Sequence, residues 1–260
     1  MEPTVRICLI EPYDTGSHAA WLRGYADHSR HEVIPLTLDG QYWRWRMLGG
    51  AAKLARLYRE RAVHADVLLA TDMLDLTTFL ALTRERTNAL PVALYMHENQ
   101  LTYPLRPGDK RELEYAWINC ASMLCASRIL FNSQYHLNSW FDALPRLLKH
   151  YPDHNEFQIV DDLRARSHVL PLSLDLASLD ASRPERPRTG PAVIVWSHRW
   201  EYDKDPATFF RALDVLLQQG LDFRVVLLGQ WFVRAPDEFE AARARLGKRV
   251  LQYGYAESRA

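Results

Sequence analysis

PAVIVWSHRWEYDKDP, residues 191–206, decides the fold class. Ala192 to Trp196 is a nearly continuous run of apolar β-formers, so it reads as a fully buried strand. Ser197, His198 and Arg199 follow at once, then an aromatic and acidic loop carrying Lys204. Pro206 can open a helix behind Asp205 as its N-cap, with Ala207 to Leu217 continuing it. Strand, polar loop, helix is how an open α/β sheet builds a ligand site at the carboxyl ends of its strands. Arg199 and Lys204 put two cations beside a helix N-terminus, a setting that suits phosphate. The same pair also reads as solvated surface cations, because charged side chains are mostly exposed.

Downstream the rhythm repeats. A helix to Gln219 is stopped by Gly220, and Phe223 to Leu228 is a strand ending in Gly229-Gln230-Trp231-Phe232. A helix over Phe239 to Leu246 and a short strand over Val250 to Tyr253 follow. Three strands in about 70 residues is thin for an α/β domain, so a continuation beyond this carboxyl end is expected.

Upstream, strands are expected at Arg6–Ile10, His31–Leu38, Ala65–Thr71, Pro91–Met96, Arg128–Phe131 and Ser167–Leu172, with helical patterns between them. That alternation predicts a doubly wound parallel sheet. The division expected is an amino-terminal domain over 1–180, a Pro/Gly-broken linker over 181–191, and a partial second domain over 192–260.

Polar clusters sit where these strands end. The first is the loop from Glu11 to His18, where Gly16 lets backbone approach a ligand and Ser17 can cap a helix starting near Ala19. It is not the G-x-G-x-x-G dinucleotide fingerprint. Gln41-Tyr-Trp-Arg-Trp-Arg46 interleaves aromatics with arginines ahead of a helix carrying Lys53, Arg56 and Arg59. Such a composition grips RNA phosphate and stacks on unpaired bases, or else packs Trp into a core under Arg stems. Asp72 follows the third strand, and His97-Glu98-Asn99-Gln100 follows the fourth. Four hydrogen-bonding side chains in a row past a buried strand mark a functional loop. His97-Glu98 is not the zinc motif H-E-x-x-H, because Leu101 replaces the second histidine, and no metal is expected there. Ser133 can cap the helix after the fifth strand, which is expected to run toward Leu144, ahead of Pro145.

Charge and composition narrow the partners. Lys+Arg and Asp+Glu are 32 each, so no global field draws in nucleic acid or membrane, and a polyanion needs a local patch. Three cysteines without zinc spacing suit a reduced, cytoplasmic setting. No run approaches the ~18–20 apolar residues that cross a bilayer. No obligate protein partner is evident.

Taken together, GSH at 16–18, WRWR at 43–46, TDMLDL at 71–76, HENQLTYP at 97–104, FNS at 131–133 and WSHRWEYDKDP at 196–206 resemble the tRNA-queuosine α-mannosyltransferase family. The resemblance spans nearly the whole chain. It implies a GT-B architecture, with two Rossmann-like domains facing each other across a cleft, the second incomplete in this chain. By the same resemblance Arg199 and Lys204 bind the donor diphosphate, and Gly229, Gly16 and Ser17 lie near the donor. His97 contacts the transferred sugar. Acceptor contacts are expected among His18, Trp45, Arg46, Asp72, Glu98, Asn99 and Ser133. The implied reaction is retaining and metal-independent, with no cofactor: a sugar, as in GDP-mannose, passes to queuosine in tRNA-Asp. A GT-B enzyme acting on a small glycan or lipid-linked sugar, and a nucleotide- or RNA-binding module without turnover, remain alternatives.

Overall fold

The computed structural model describes residues 3–105, 108–181, 189–230 and 237–256. Residues 182–188 of the expected linker, and Trp231 and Phe232, lie outside the described residues. The chain forms two compact units, Met1–Tyr103 with Lys110–Leu174, and Pro104–Asp109 with Asp175–Ala260. The division therefore falls at Leu174, ahead of the Pro/Gly-broken run at 181–191.

In the first unit the order is β1 (Arg6–Asp14), α1 (Gly16–His28), β2 (Glu32–Asp39), α2 (Trp43–Glu60), β3 (Val67–Thr71), α3 (Leu76–Thr87), β4 (Val92–Met96), α4 (Leu113–Cys125), β5 (Arg128–Phe131), α5 (Gln134–Lys149), α6 (Ile159–Ala165) and β6 (Ser167–Val169). The six strands are all parallel, in the order β2-β1-β3-β4-β5-β6. Alternation along β1 explains why both faces are covered. Cys8 and Ile10 enter a core with Leu54, Phe79 and Trp140, whereas Ile7 and Leu9 enter another with Leu22, Leu69 and Tyr95. Because β1 pairs with both β2 and β3, the chain reverses its winding there, and the crevice past the ends of those strands is the natural ligand position.

Three local expectations change. β1 runs to Asp14 rather than Ile10, and α1 starts at Gly16 with Thr15 as N-cap, so Ser17 lies inside the helix and does not cap it. α2 starts at Trp43, behind Tyr42 in the left-handed region at φ 50°, so the Trp/Arg cluster is its first turn. α5 continues through Pro145 to Lys149. A proline inside a helix costs about 3 kcal/mol. Burying Leu144, Leu147 and Leu148 returns about 1.5–3 kcal/mol each, so packing wins over the proline.

The second unit holds α7 (Leu176–Ala181), β7 (Ala192–Ser197), α8 (Pro206–Gln218), β8 (Phe223–Leu228), α9 (Asp237–Leu246) and β9 (Val250–Gly254). Its sheet is parallel, in the order β7-β8-β9. Trp196, Phe210, Leu213, Val225, Leu227, Phe239 and Leu246 form its core against α8 and α9. β7 is not the fully buried strand that its composition suggested: Val193 and Val195 are each 52% exposed. Ile194 and Trp196 point to the helices, and the alternate residues point to the opposite face of the sheet.

Candidate active site

Glu11 near the end of β1, His18 in α1, Asp72 after β3 and His97 after β4 converge at the carboxyl edge of the first sheet. Glu11 is fully buried and its Oε2 meets His18 Nδ1 at 3.0 Å, while its Oε1 accepts the Tyr13 amide at 2.8 Å. Burial by itself would lower the His18 pKa, but the hydrogen bond and charge of Glu11, with Asp72 and Glu98 nearby, raise it to about 9. His18 is thus an imidazolium at neutral pH. Its ring lies 4.4 Å from that of His97, which also packs against Trp21 and Tyr95. Burial, then the His18 and His136 charges, lower the His97 pKa to about 2, so His97 is neutral. Its Nε2 is buried and has no hydrogen-bond partner among the described residues.

The loop that holds His97 is tied on every side. Asp72 is 1% exposed, and its two carboxylate oxygens accept the amides of His97 at 3.2 Å and Glu98 at 2.9 Å. Burial, reinforced by Glu98 and opposed by His18, raises the Asp72 pKa to about 7. Asn132 donates to the His97 carbonyl at 2.9 Å. Asn99 donates to Ser139 at 3.0 Å and accepts the Leu101 amide at 2.9 Å.

Among the expected acceptor residues, His18, Glu98 and Asn99 therefore share this edge with His97. Asp72 is sealed beneath the loop, so an acceptor meets it only through the loop it holds. The Ser133 hydroxyl is engaged twice, accepting the His136 amide at 3.1 Å as the α5 cap and donating to Asn132 at 2.9 Å. Trp45 and Arg46 stand in the first turn of α2, which docks on this edge through Met47 against Met73 and Tyr13. Trp45 is 62% exposed with its ring lying over Gly49, and Arg46 donates to the Asp39 carbonyl at 3.0 Å. Gly16 has φ +53° with open space at its missing side chain, and Ser17 is exposed.

In the second unit, Asp205 caps α8 through the Thr208 amide at 3.3 Å, with Pro206 in the first turn. Arg199 pairs with Glu201 at 3.4 Å and Lys204 with Asp203 at 2.8 Å, so neither cation is as bare as composition suggested. The Arg199–Glu201 pair is partly exposed, contributes about 0–1 kcal/mol and can give way to a phosphate that makes charge-assisted bonds. The Asp203 side chain is only 3% exposed and holds Lys204 more firmly. The loop backbone is held by Trp196, which donates to the His198 carbonyl at 3.1 Å, and by Trp200 stacked on Phe239 at 4.3 Å. Gly229 lies under both: a Cβ there would stand 2.2 Å from the His198 carbonyl and 2.4 Å from the Trp200 ring.

Reading the chain in one dimension missed Glu11, Asn132 and His136. Glu11 carried a signal, an acid directly behind an apolar strand run, whereas Asn132 and His136 had none beyond their neighbours. Among the described residues, Glu11, His18 and His97 form a group whose metal-capable atoms lie within 4.8 Å of one another. A divalent ion there would have to displace the proton that Glu11 holds on His18.

The protonation pattern predicts a stability optimum. His97 and His136, the latter lowered by burial to about 4, are neutral in the fold. Their contribution is present above their unfolded pKa of 6.5 and is lost as pH falls toward the folded values. His18 behaves oppositely: its contribution is full below 6.5 and is lost as pH rises through about 9. Asp72, raised to about 7, favours the fold at low pH and offsets one of the two neutral histidines. Thermal stability is therefore expected to peak near pH 6.5, falling toward pH 5 as the unfolded histidines take up protons and toward pH 9 as the His18 pair is lost. Melts across that range check it, and stability that climbs from pH 6.5 to 9 would contradict the ion pair.

Known proteins place the fold and then the family. A crystal structure of a UDP-forming trehalose-phosphate synthase from Burkholderia xenovorans aligns over 98% of this chain and 74% of its own, at TM-score 0.60 and 14% identity. A glycosyltransferase from Rickettsia africae aligns over 98% of this chain and 69% of its own, at TM-score 0.55 and 11% identity. With its parallel Rossmann-like sheets, the chain has the fold of the GT-B glycosyltransferases. The family described as tRNA-queuosine alpha-mannosyltransferase N-terminal matches residues 6–174. The Drosophila melanogaster tRNA-queuosine alpha-mannosyltransferase is 30% identical over 263 aligned residues, which cover 96% of this chain and 68% of that protein. The chain belongs to this family, and is a glycosyltransferase.

Proposed function

We propose that the protein transfers mannose from GDP-mannose to queuosine in tRNA, tRNA-Asp in particular, with retention of configuration and without a metal or other cofactor. One observation carries the chemistry: a neutral His97, clamped at the strand ends, presents a buried Nε2 that lacks a partner among the described residues. A sugar hydroxyl or developing positive charge can engage that nitrogen. The imidazolium of His18 beside it supplies a fixed positive charge for an anionic donor group.

Arg199 and Lys204 take the donor diphosphate. Charge builds on the leaving phosphate as the glycosidic bond breaks, so these cations act most strongly in the transition state. The leaving phosphate then takes the proton of the incoming hydroxyl on the same face, and no separate base is needed. Gly229 keeps the donor loop's backbone in place, and Gly16 and Ser17 open α1 toward the donor. Trp45 and Arg46, with Lys53, Arg56 and Arg59 further along α2, are the RNA contacts. The setting is the cytoplasm, where tRNA is modified, and no helix among the described residues is long and apolar enough to cross a membrane.

The test is incubation with labelled GDP-mannose and tRNA that carries or lacks queuosine. Label confined to the queuosine-bearing tRNA supports the reading, and label on a free glycan or lipid instead rejects it. A small-glycan acceptor draws support from the neutral net charge and from the Arg44–Glu112 pair at 3.0 Å, which neutralises part of the α2 patch. Salt separates the two. RNA phosphate contacts lose affinity as salt rises, by about 0.9 in log–log slope per duplex phosphate and about 0.7 per single-stranded one. Raising salt from 50 to 200 mM is therefore expected to increase the acceptor KM about tenfold for two to three contacts, and a flat response favours the glycan.

A further inference from the structure

We propose that Asp72 and Asn132 are positioning residues, which act by clamping the main chain of His97 through its amide and its carbonyl. The proposal rests on the reading of His97 as the group that meets the transferred sugar.

The geometry is reciprocal. Asp72 Oδ1 accepts the His97 amide at 3.2 Å and Oδ2 accepts the Glu98 amide at 2.9 Å, so one carboxylate holds two successive peptide units of the loop. From the other side Asn132 Nδ2 donates to the His97 carbonyl at 2.9 Å. The orientation of the Asn132 amide is set by its own partners: Oδ1 accepts the Ser133 hydroxyl at 2.9 Å and lies 3.2 Å from His136 Nδ1. Asp72 is fixed in turn, since its amide donates to the Tyr95 carbonyl at 3.1 Å and its carbonyl accepts Asn119 Nδ2 at 2.7 Å.

Cost decides against a merely structural reading. A carboxyl group taken wholly out of water costs several kcal/mol unless it is hydrogen-bonded, and an apolar residue of the same volume would fill the space without that cost. Both oxygens of Asp72 are spent on loop amides, so the return on that burial is the position of the loop. Backbone dihedrals at 97 set the direction of the ring, and holding the peptide units on both sides of the residue removes the freedom to turn it away. Neither side chain needs to touch donor or acceptor to matter.

The test is a double-mutant cycle. Asp72→Asn leaves one acceptor oxygen and turns an N–H₂ group toward a backbone amide, while Asn132→Asp removes the donor to the carbonyl at constant shape. Each is expected to lower kcat about 10- to 100-fold, with donor and acceptor KM within about threefold, as for a reacting group displaced by about 1 Å. In a His97→Ala background the same substitutions are expected to cost less than about twofold more, because the group they position is gone. A full further loss in that background, or a rise in KM with kcat unchanged, overturns the clamp. An unimpaired His97→Ala overturns the reading of His97 itself and the clamp with it. Far-UV dichroism and melting identify any variant that fails to fold, and Asn132→Asp, at a less buried position than Asp72, decides the cycle if Asp72→Asn is one of them.

Discussion

Alanine at Lys204 or at Arg199 is expected to lower kcat about 10²- to 10³-fold, the loss typical of removing one preorganised donor to a developing oxyanion. The two cations stand on one loop between β7 and α8, beside an α8 N-terminus whose amides and dipole also favour an anion. Their present partners, Glu201 and Asp203, belong to the same loop. Those carboxylates keep the cations oriented before the donor arrives. The partly exposed Glu201 pair yields cheaply to a phosphate, whereas the buried Asp203 stays with Lys204 and fixes its direction. Because the leaving group gains charge as the bond breaks, the effect falls on kcat more than on KM. Arg199→Lys should recover only part of the loss, since an ammonium cannot reproduce the planar two-point contact of a guanidinium. Steady-state rates with calorimetry of GDP binding check this, and unchanged affinity and rate in both alanine variants would remove the diphosphate role.

Gly229→Ala is expected to destabilise the second unit by about 3 kcal/mol and to abolish donor binding with it. The added methyl would stand 2.2 Å from the His198 carbonyl oxygen, a backbone atom that is itself held by Trp196. It would stand 2.4 Å from the ring of Trp200, which is stacked on Phe239 and has no room to swing. Relief requires moving the strand end or the loop that carries Arg199. Gly16→Ala makes the comparison: nothing lies within 4 Å of the new methyl, and the only cost is the left-handed backbone at φ +53°. That costs about 1–2 kcal/mol and leaves the second unit's loop in place. Urea melts followed through the buried Trp196 and Trp200, with GDP titration, distinguish the two. A Gly229→Ala protein with normal stability and GDP affinity would show that the loop can move after all.

Much of the fold was legible because its signals are local. Every strand of both sheets except β6, Ser167–Val169, coincides with an apolar run bounded by polar or turn residues, and the alternation with helices is what parallel sheets require. Among the helices Pro145 is the exception: it sits inside α5 because the leucines around it are buried, so packing overrode composition there, and packing partners are distant in the chain.

The candidate site divides the same way. His97, Arg199 and Lys204 could be named from the chain alone, because polar residues directly after a buried strand must emerge at the sheet's carboxyl edge. What they do there depends on residues far along the chain: Glu11 charges His18, Asp72 and Asn132 hold His97, and Trp200 rules out any side chain at Gly229. The order of strands and the chemistry at their ends are one-dimensional properties, written in hydrophobic period and loop composition. Protonation, orientation and steric exclusion arise when strands separated by tens of residues are laid side by side, and so the tertiary structure alone decided them.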